Sequence, residues 1–138
     1  MSPFPRFHVY LYGPAGGPLA SHFDDVADSL AQLPRLYFEP DGSLVWSGQD
    51  WQIDGMLYDR DGVVQYADLK GYAPHDRWSE LCQRILQPTR PPQVGADGAT
   101  RNDWTWQLAT VLSIAERSLH DLQTFEEITW GPSAKPMC

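Results

Sequence analysis

Leu36-Tyr37-Phe38-Glu39-Pro40-Asp41-Gly42-Ser43-Leu44-Val45-Trp46 begins the stretch, residues 36–72, that decides the fold: it holds two strand–turn–strand patterns in succession. Each turns at an Asp-Gly, first in Glu39-Pro40-Asp41-Gly42-Ser43 and then in Asp59-Arg60-Asp61-Gly62-Val63. Glycine has no Cβ and enters the left-handed region freely, so Asp-Gly between alternating apolar runs marks a β-hairpin. Two hairpins in a row require an antiparallel meander.

Strand pairing in the second hairpin depends on its loop. A three-residue loop, Arg60-Asp61-Gly62, pairs Asp59 with Val63, Tyr58 with Val64, Met56 with Tyr66, Asp54 with Asp68 and Gln52 with Lys70. One face then carries Trp51, Ile53, Gly55, Leu57, Val63, Gln65, Ala67 and Leu69, and the other Gln52, Asp54, Met56, Tyr58, Val64, Tyr66, Asp68 and Lys70. A two-residue Asp61-Gly62 turn shifts that register and separates Asp54 from Asp68.

The flanking segments add helices. Residues 7–12 alternate Phe7, Val9 and Leu11 against His8, Tyr10 and Tyr12, the period of a strand. Ser21, with Asp24 three residues on, reads as a helix start, and Phe23, Val26, Ala27, Leu30 and Leu33 follow at helical spacing up to Pro34. Trp78, Leu81, Cys82, Ile85 and Leu86 form a second helical stripe behind a cap at Asp76. The Pro- and Gly-rich residues 87–101 read as a loop. Trp104, Leu108, Val111, Leu112, Ala115, Leu119 and Leu122 suggest a third helix over 103–124, with a short last strand over 125–130 and a flexible tail over 131–138. The expected class is α+β: a meander of about five strands, with three amphipathic helices packed on it, in the order β-α-β-β-β-β-α-α and a possible final strand.

The 138 residues suit a single domain, and six Trp, six Tyr and five Phe supply large buried areas. Eighteen acidic against ten basic residues give a formal charge of −8, which repels a phosphate backbone and favours a basic protein partner over nucleic acid. Two cysteines are too few for a disulfide framework, pointing to a reducing, cytoplasmic setting. No basic stretch leads into an apolar run at the start, and no run of apolar residues is long enough to span a membrane.

Chemistry concentrates at Asp54, Asp68 and Lys70. Two carboxylates on neighbouring strands can hold Mg²⁺ or Mn²⁺, and a lysine beside them can help activate a metal-bound water. Ile53-Asp54-Gly55 followed by Asp68-Leu69-Lys70 and a helix resembles the core of the PD-(D/E)xK nuclease superfamily. That resemblance implies a divalent-metal phosphodiesterase with Asp54 and Asp68 as ligands and Lys70 beside the attacking water, and Asp24, Asp25 or Asp28 as candidates for a further acid. The other reading of the same residues is the solvated half of an alternating sheet. Tyr10, Tyr12, Tyr37, Tyr58 and Tyr66 all fall opposite the core positions, and a tyrosine-bearing face suits partner binding, with Tyr58 and Tyr66 at its centre. The leading expectation is therefore a non-enzymatic interaction module that needs no cofactor, its partner a basic protein or a second copy. Gly13-Pro14-Ala15-Gly16-Gly17-Pro18 reads as a tight connection: it contains two prolines and no Gly-Lys-Ser/Thr follows. The four histidines lack metal-site spacing, and Cys82 belongs to an apolar helical stripe.

Overall fold

A computed structural model describes residues 4–86, 109–114 and 117–131. Their elements are β1 (Arg6–Tyr12), a single 3₁₀ turn (Pro14–Gly16), α1 (Phe23–Leu30), β2 (Leu36–Phe38), β3 (Ser43–Ser47), β4 (Gln52–Arg60), β5 (Val63–Tyr72), α2 (His75–Leu86), β6 (Thr110–Ser113), β7 (Ser118–Asp121) and α3 (Leu122–Trp130). The class is α+β. The strands form one antiparallel sheet of seven, in the order β2-β3-β4-β5-β1-β6-β7. The expected meander is β2 to β5, and β1 then adds beside β5, leaving its other edge for β6.

Two strands more than expected come from the chain's last third. Instead of a helix, Thr110–Ser113 and Ser118–Asp121 form a hairpin whose first strand pairs with β1, Val9 opposite Ser113 and Leu11 opposite Val111. The apolar stripe there mixed two faces: Val111 is buried while Leu119 is exposed. Residues 125–130 are helical rather than extended. The helix begins at Asp121, whose carboxylate accepts the Thr124 N–H, and ends at Gly131 with φ +94°. The 87–101 loop, the 103–108 portion of the expected helix and residues 132–138 of the expected tail lie outside the described residues.

The two Asp-Gly turns differ. Pro40 cannot take positive φ, so the first turn uses a three-residue loop: Gly42 N–H bonds the Glu39 carbonyl, Glu39 N–H bonds the Ser43 carbonyl, and Gly42 alone is left-handed at φ +101°. In the second, Asp61 (φ +53°) and Gly62 (φ +82°) are both left-handed, the signature of a two-residue type I′ turn, and Arg60 faces Val63. An irregularity at Tyr58/Asp59 then adds one residue to β5. Side chains keep the expected faces beyond it, but partners move by two: Asp54 faces Lys70, Met56 faces Asp68 and Tyr58 faces Tyr66. Val64, expected on the polar face, is buried instead. Residues 19–21 run along this part of β5, Leu19 N–H to the Gln65 carbonyl and Ala20 N–H to that of Val64.

The three described helices bury their apolar faces in one cluster with the inward side chains of the sheet, among them Val9, Leu11, Leu44, Ile53, Leu57 and Leu69. Trp78 of α2 is its centre, with ring centroids 5.0 Å from Phe7, 5.2 Å from Phe125 and 5.6 Å from Trp130. Burying one such side chain contributes about 1.5–3 kcal/mol. The residue before α1 is His22; Ser21, the expected cap, instead donates its hydroxyl to the Ile85 carbonyl and so ties α1 to α2. No described helix is long and apolar enough to cross a membrane.

The sheet's edges are blunted. β2 has three residues, between Pro34 and Pro40, and β7 has four and runs straight into α3.

Candidate functional site

The second face of the sheet carries the polar and tyrosine side chains. Across it, Tyr37, Val45, Asp54, Lys70 and His8 stand opposite one another from strand to strand. The next row is Ser43, Met56, Asp68, Tyr10, Leu112 and Leu119. None of these side chains belongs to the core cluster, and each is half-buried or exposed.

Tyr66 is the hub of the aromatic part. Its ring stacks on Tyr58 at 4.7 Å and 20°, and lies 5.2 Å from Tyr10 and 5.4 Å from Tyr12. Desolvation in this cluster raises the Tyr66 phenol's pKa above the usual tyrosine value, and the neighbouring Tyr58 and Tyr10 hydroxyls add to it; Tyr12 shifts the same way, again chiefly by desolvation. The Tyr66 and Tyr12 phenols are therefore held in their neutral, hydrogen-bonding form at neutral pH.

The carboxylates are engaged separately. Asp68 Oδ1 is 3.1 Å from His8 Nε2, a contact spanning sixty residues of sequence. Asp54 Oδ1 accepts a hydrogen bond from Gln52 Nε2 at 2.9 Å and lies opposite Lys70. The structure thus brings Asp54, Asp68 and Lys70 onto one face, but with Asp54 and Asp68 diagonal rather than opposite, as the sequence suggested. Among the described residues, no group of three His, Cys, Asp or Glu side chains is placed to hold a metal ion.

Sequence reasoning missed two histidine pairs. His8 was legible only as a polar-face residue, and its partner is set by the β1–β5 register. His75 Nε2 lies 3.1 Å from Glu126 Oε1, and the other oxygen of that buried carboxylate accepts from Trp78 Nε1 at 3.0 Å. This second cluster joins α2 to α3 inside the core. A cleft of about 120 Å³ between β1, β6 and α3 is lined by Arg6, Phe7, His8, Val9, Ser113, Phe125, Ile128 and Thr129.

The remaining candidates are structural. In the Gly13–Pro18 loop, the Gly13 N–H bonds the Gly17 carbonyl, that of Gly16 bonds Thr110 Oγ1 and that of Gly17 bonds the Pro14 carbonyl, so these donors are turned away from any phosphate. Cys82 is buried, and desolvation, with the Glu126 charge adding to it, pushes its thiol well above the usual range. Such a thiol is no nucleophile.

Comparison with protein-family models, with curated proteins and with solved structures gives no match to this chain.

Proposed function

We propose that this chain is a non-enzymatic interaction module whose tyrosine-bearing sheet face binds a protein partner in the cytoplasm. One observation carries the reading: every described helix packs on the same side of the sheet, while Tyr10, Tyr12, Tyr58 and Tyr66 gather on the other with their rings in mutual contact. Tyrosine buries a large area with few rotamers to freeze, which makes such a cluster a good anchor for an interface. Seven strands about 4.8 Å apart give a face nearly 30 Å wide, enough for a standard interface of about 800 Å² per partner. The chain's charge of −8 disfavours nucleic acid as the occupant. The buried free thiol of Cys82 suits a reducing compartment.

Site-specific photo-crosslinking tests this reading. A benzophenone side chain is placed at Val45 or Lys70 on the tyrosine face, and at Asp28 or Gln83 on the exposed sides of α1 and α2. Discrete protein adducts from the first pair and not the second are expected. Adducts confined to the helix positions, or absent from all four, defeat the proposal.

A further inference from the structure

Resting on that reading, we infer that the partner presents an arginine-bearing cationic segment, and that it seats at the end of the face where Tyr58 lies between the two Asp-Gly turns. Tyr58 is the most exposed of the clustered tyrosines, at 40%. It stands directly across from Tyr66, with the two rings 4.7 Å apart and within 20° of parallel. That separation matches the spacing of adjacent strands, so Tyr66 covers one face of the Tyr58 ring and the opposite face is turned toward β3.

What lies on that side is the first turn. The Leu57 N–H donates to the Gly42 carbonyl at 2.9 Å, which sets the Pro40-Asp41-Gly42 loop against β4 one residue from Tyr58. Asp41 is fixed there by the Ser43 N–H at 2.9 Å and the Ser43 hydroxyl at 2.7 Å. On the other side, Asp59 is held by the Gly62 N–H at 3.1 Å, and Asp61 is exposed at the tip. With Glu39, the two turns carry four carboxylates and one basic side chain, Arg60, all exposed.

A planar guanidinium suits this place better than an ammonium. It can stack on the free face of a tyrosine ring while its edge donates two parallel hydrogen bonds to a carboxylate. Of these carboxylates, Asp41 is already ordered by the Ser43 N–H and hydroxyl, so little freedom is lost when a cation arrives. The same carboxylates attract the segment from a distance, in keeping with the chain's overall charge. A second copy of this chain, also at −8, is opposed by its own charge.

The test is a titration of the isotopically labelled chain, followed by amide NMR, with a short peptide alternating arginine with glycine and serine. The same peptide with citrulline for arginine keeps shape and hydrogen bonding without charge. Expected are shifts at Asp41, Ser43 and residues 57–61, with the citrulline peptide about ten-fold weaker. Tyr58→Ala weakens the arginine peptide about five-fold and Tyr58→Phe leaves it unchanged, because the ring face is what is used. Asp41→Asn weakens it, whereas Asp28→Asn, the same loss of charge on α1, does not. Equal shifts from both peptides at these residues overturn the cationic segment while leaving the interaction face standing. Shifts centred on α1, or an Asp28→Asn effect as large as that of Asp41→Asn, reduce the binding to diffuse attraction and overturn the proposal. Concentration-dependent shifts at Tyr58 without peptide assign the site to a second copy instead. If neither peptide moves any outer-face amide, the cationic segment is excluded, and the photo-crosslinking result alone decides the broader reading.

Discussion

Glu126 of α3 accepts a hydrogen bond from the indole N–H of Trp78 of α2 at 3.0 Å, and its side chain is only 2% exposed. Its other oxygen meets His75 at 3.1 Å. A carboxylate in an apolar core needs both partners, and each partner in turn is satisfied by it. This is how a helix nearly fifty residues further along the chain is locked onto α2.

Glu126→Ala leaves the buried Trp78 N–H without an acceptor and opens a void among aromatic rings. A loss of about 3–5 kcal/mol in urea unfolding is expected. Glu126→Gln keeps the shape and an acceptor for Trp78, so its loss is about 1–2 kcal/mol. Equal losses in the two variants would mean that volume alone matters at this position.

Gly42 and Gly62 are both left-handed, yet their surroundings differ. A Cβ at Gly42 lies 2.5 Å from the Leu57 carbonyl oxygen, a backbone atom that cannot move aside without breaking the β4 contact, whereas at Gly62 nothing lies within 4 Å. Gly62→Ala therefore carries only the left-handed penalty of about 1–2 kcal/mol. Gly42→Ala adds the steric clash and loses at least about 2 kcal/mol more. Thermal midpoints of the two variants check the order, and a Gly62→Ala variant as damaged as Gly42→Ala would contradict it.

That contrast also shows how far the sequence could be read. Both hairpins were legible because Asp-Gly at the centre of alternating runs is a local signal, and so was the inward face of α2. Loop lengths have a local mark too: proline at position 40 bars the doubly left-handed turn, whereas Arg60-Asp61-Gly62 permits it. The extra residue in β5 left no comparable mark. It depends on residues 19–21 lying beside β5, a pairing over more than forty residues. The last third failed for the same kind of reason. Val111, Leu112 and Leu119 fit a helical stripe, and only the open edge of β1 makes residues 110–113 a strand. The α3 helix, by contrast, did carry local signs, Asp121 as cap and Gly131 at the end. Of the candidate site, face membership of Asp54, Asp68, Lys70 and the tyrosines was legible, and their register was not.

Asp41 provides a pH test of the first turn. Hydrogen bonds from the Ser43 N–H and hydroxyl hold its carboxyl below the usual value of 3.8. A folded-state value below the unfolded one means that the ionised form is favoured by folding. The resulting stabilisation is complete above pH 3.8 and disappears as pH falls through the lower, folded value. Asp41→Asn should thus be less stable than the native chain near neutrality, and the gap should narrow in acid. A gap that stays constant down to strongly acid pH would show that ionisation of Asp41 plays no part.

Cys82 should resist alkylation. In a Cys138→Ser background, where it is the single thiol, iodoacetamide labelling at neutral pH requires an opening of the α2 interface, because the thiol is buried and its ionisation is disfavoured. The rate should lie orders of magnitude below that of the denatured chain and rise steeply with subdenaturing urea. Rapid labelling without denaturant would show that α2 opens readily.

The carboxylates of the sheet face allow a decision about metal. Mg²⁺ or Mn²⁺ bound by Asp54 and Asp68 would have to draw together two side chains that are diagonal across β4 and β5, typically about 7 Å apart at Cβ. It would also displace Gln52 from Asp54 and His8 from Asp68, with Lys70 the cross-strand neighbour of Asp54. Each displacement weakens binding, and like charge at Lys70 opposes the cation. The thermal midpoint is therefore expected to change by less than about 1 °C in millimolar Mn²⁺ or Mg²⁺, for the native chain and for Asp68→Asn alike. Lys70→Ala, by leaving Asp54 without its cross-strand cation, should lower stability by about 0.2–1 kcal/mol. A rise with Mn²⁺ in the native chain that Asp68→Asn abolishes would place a metal at this hairpin, and the interaction reading would yield to phosphodiester hydrolysis, with Lys70 beside the attacking water.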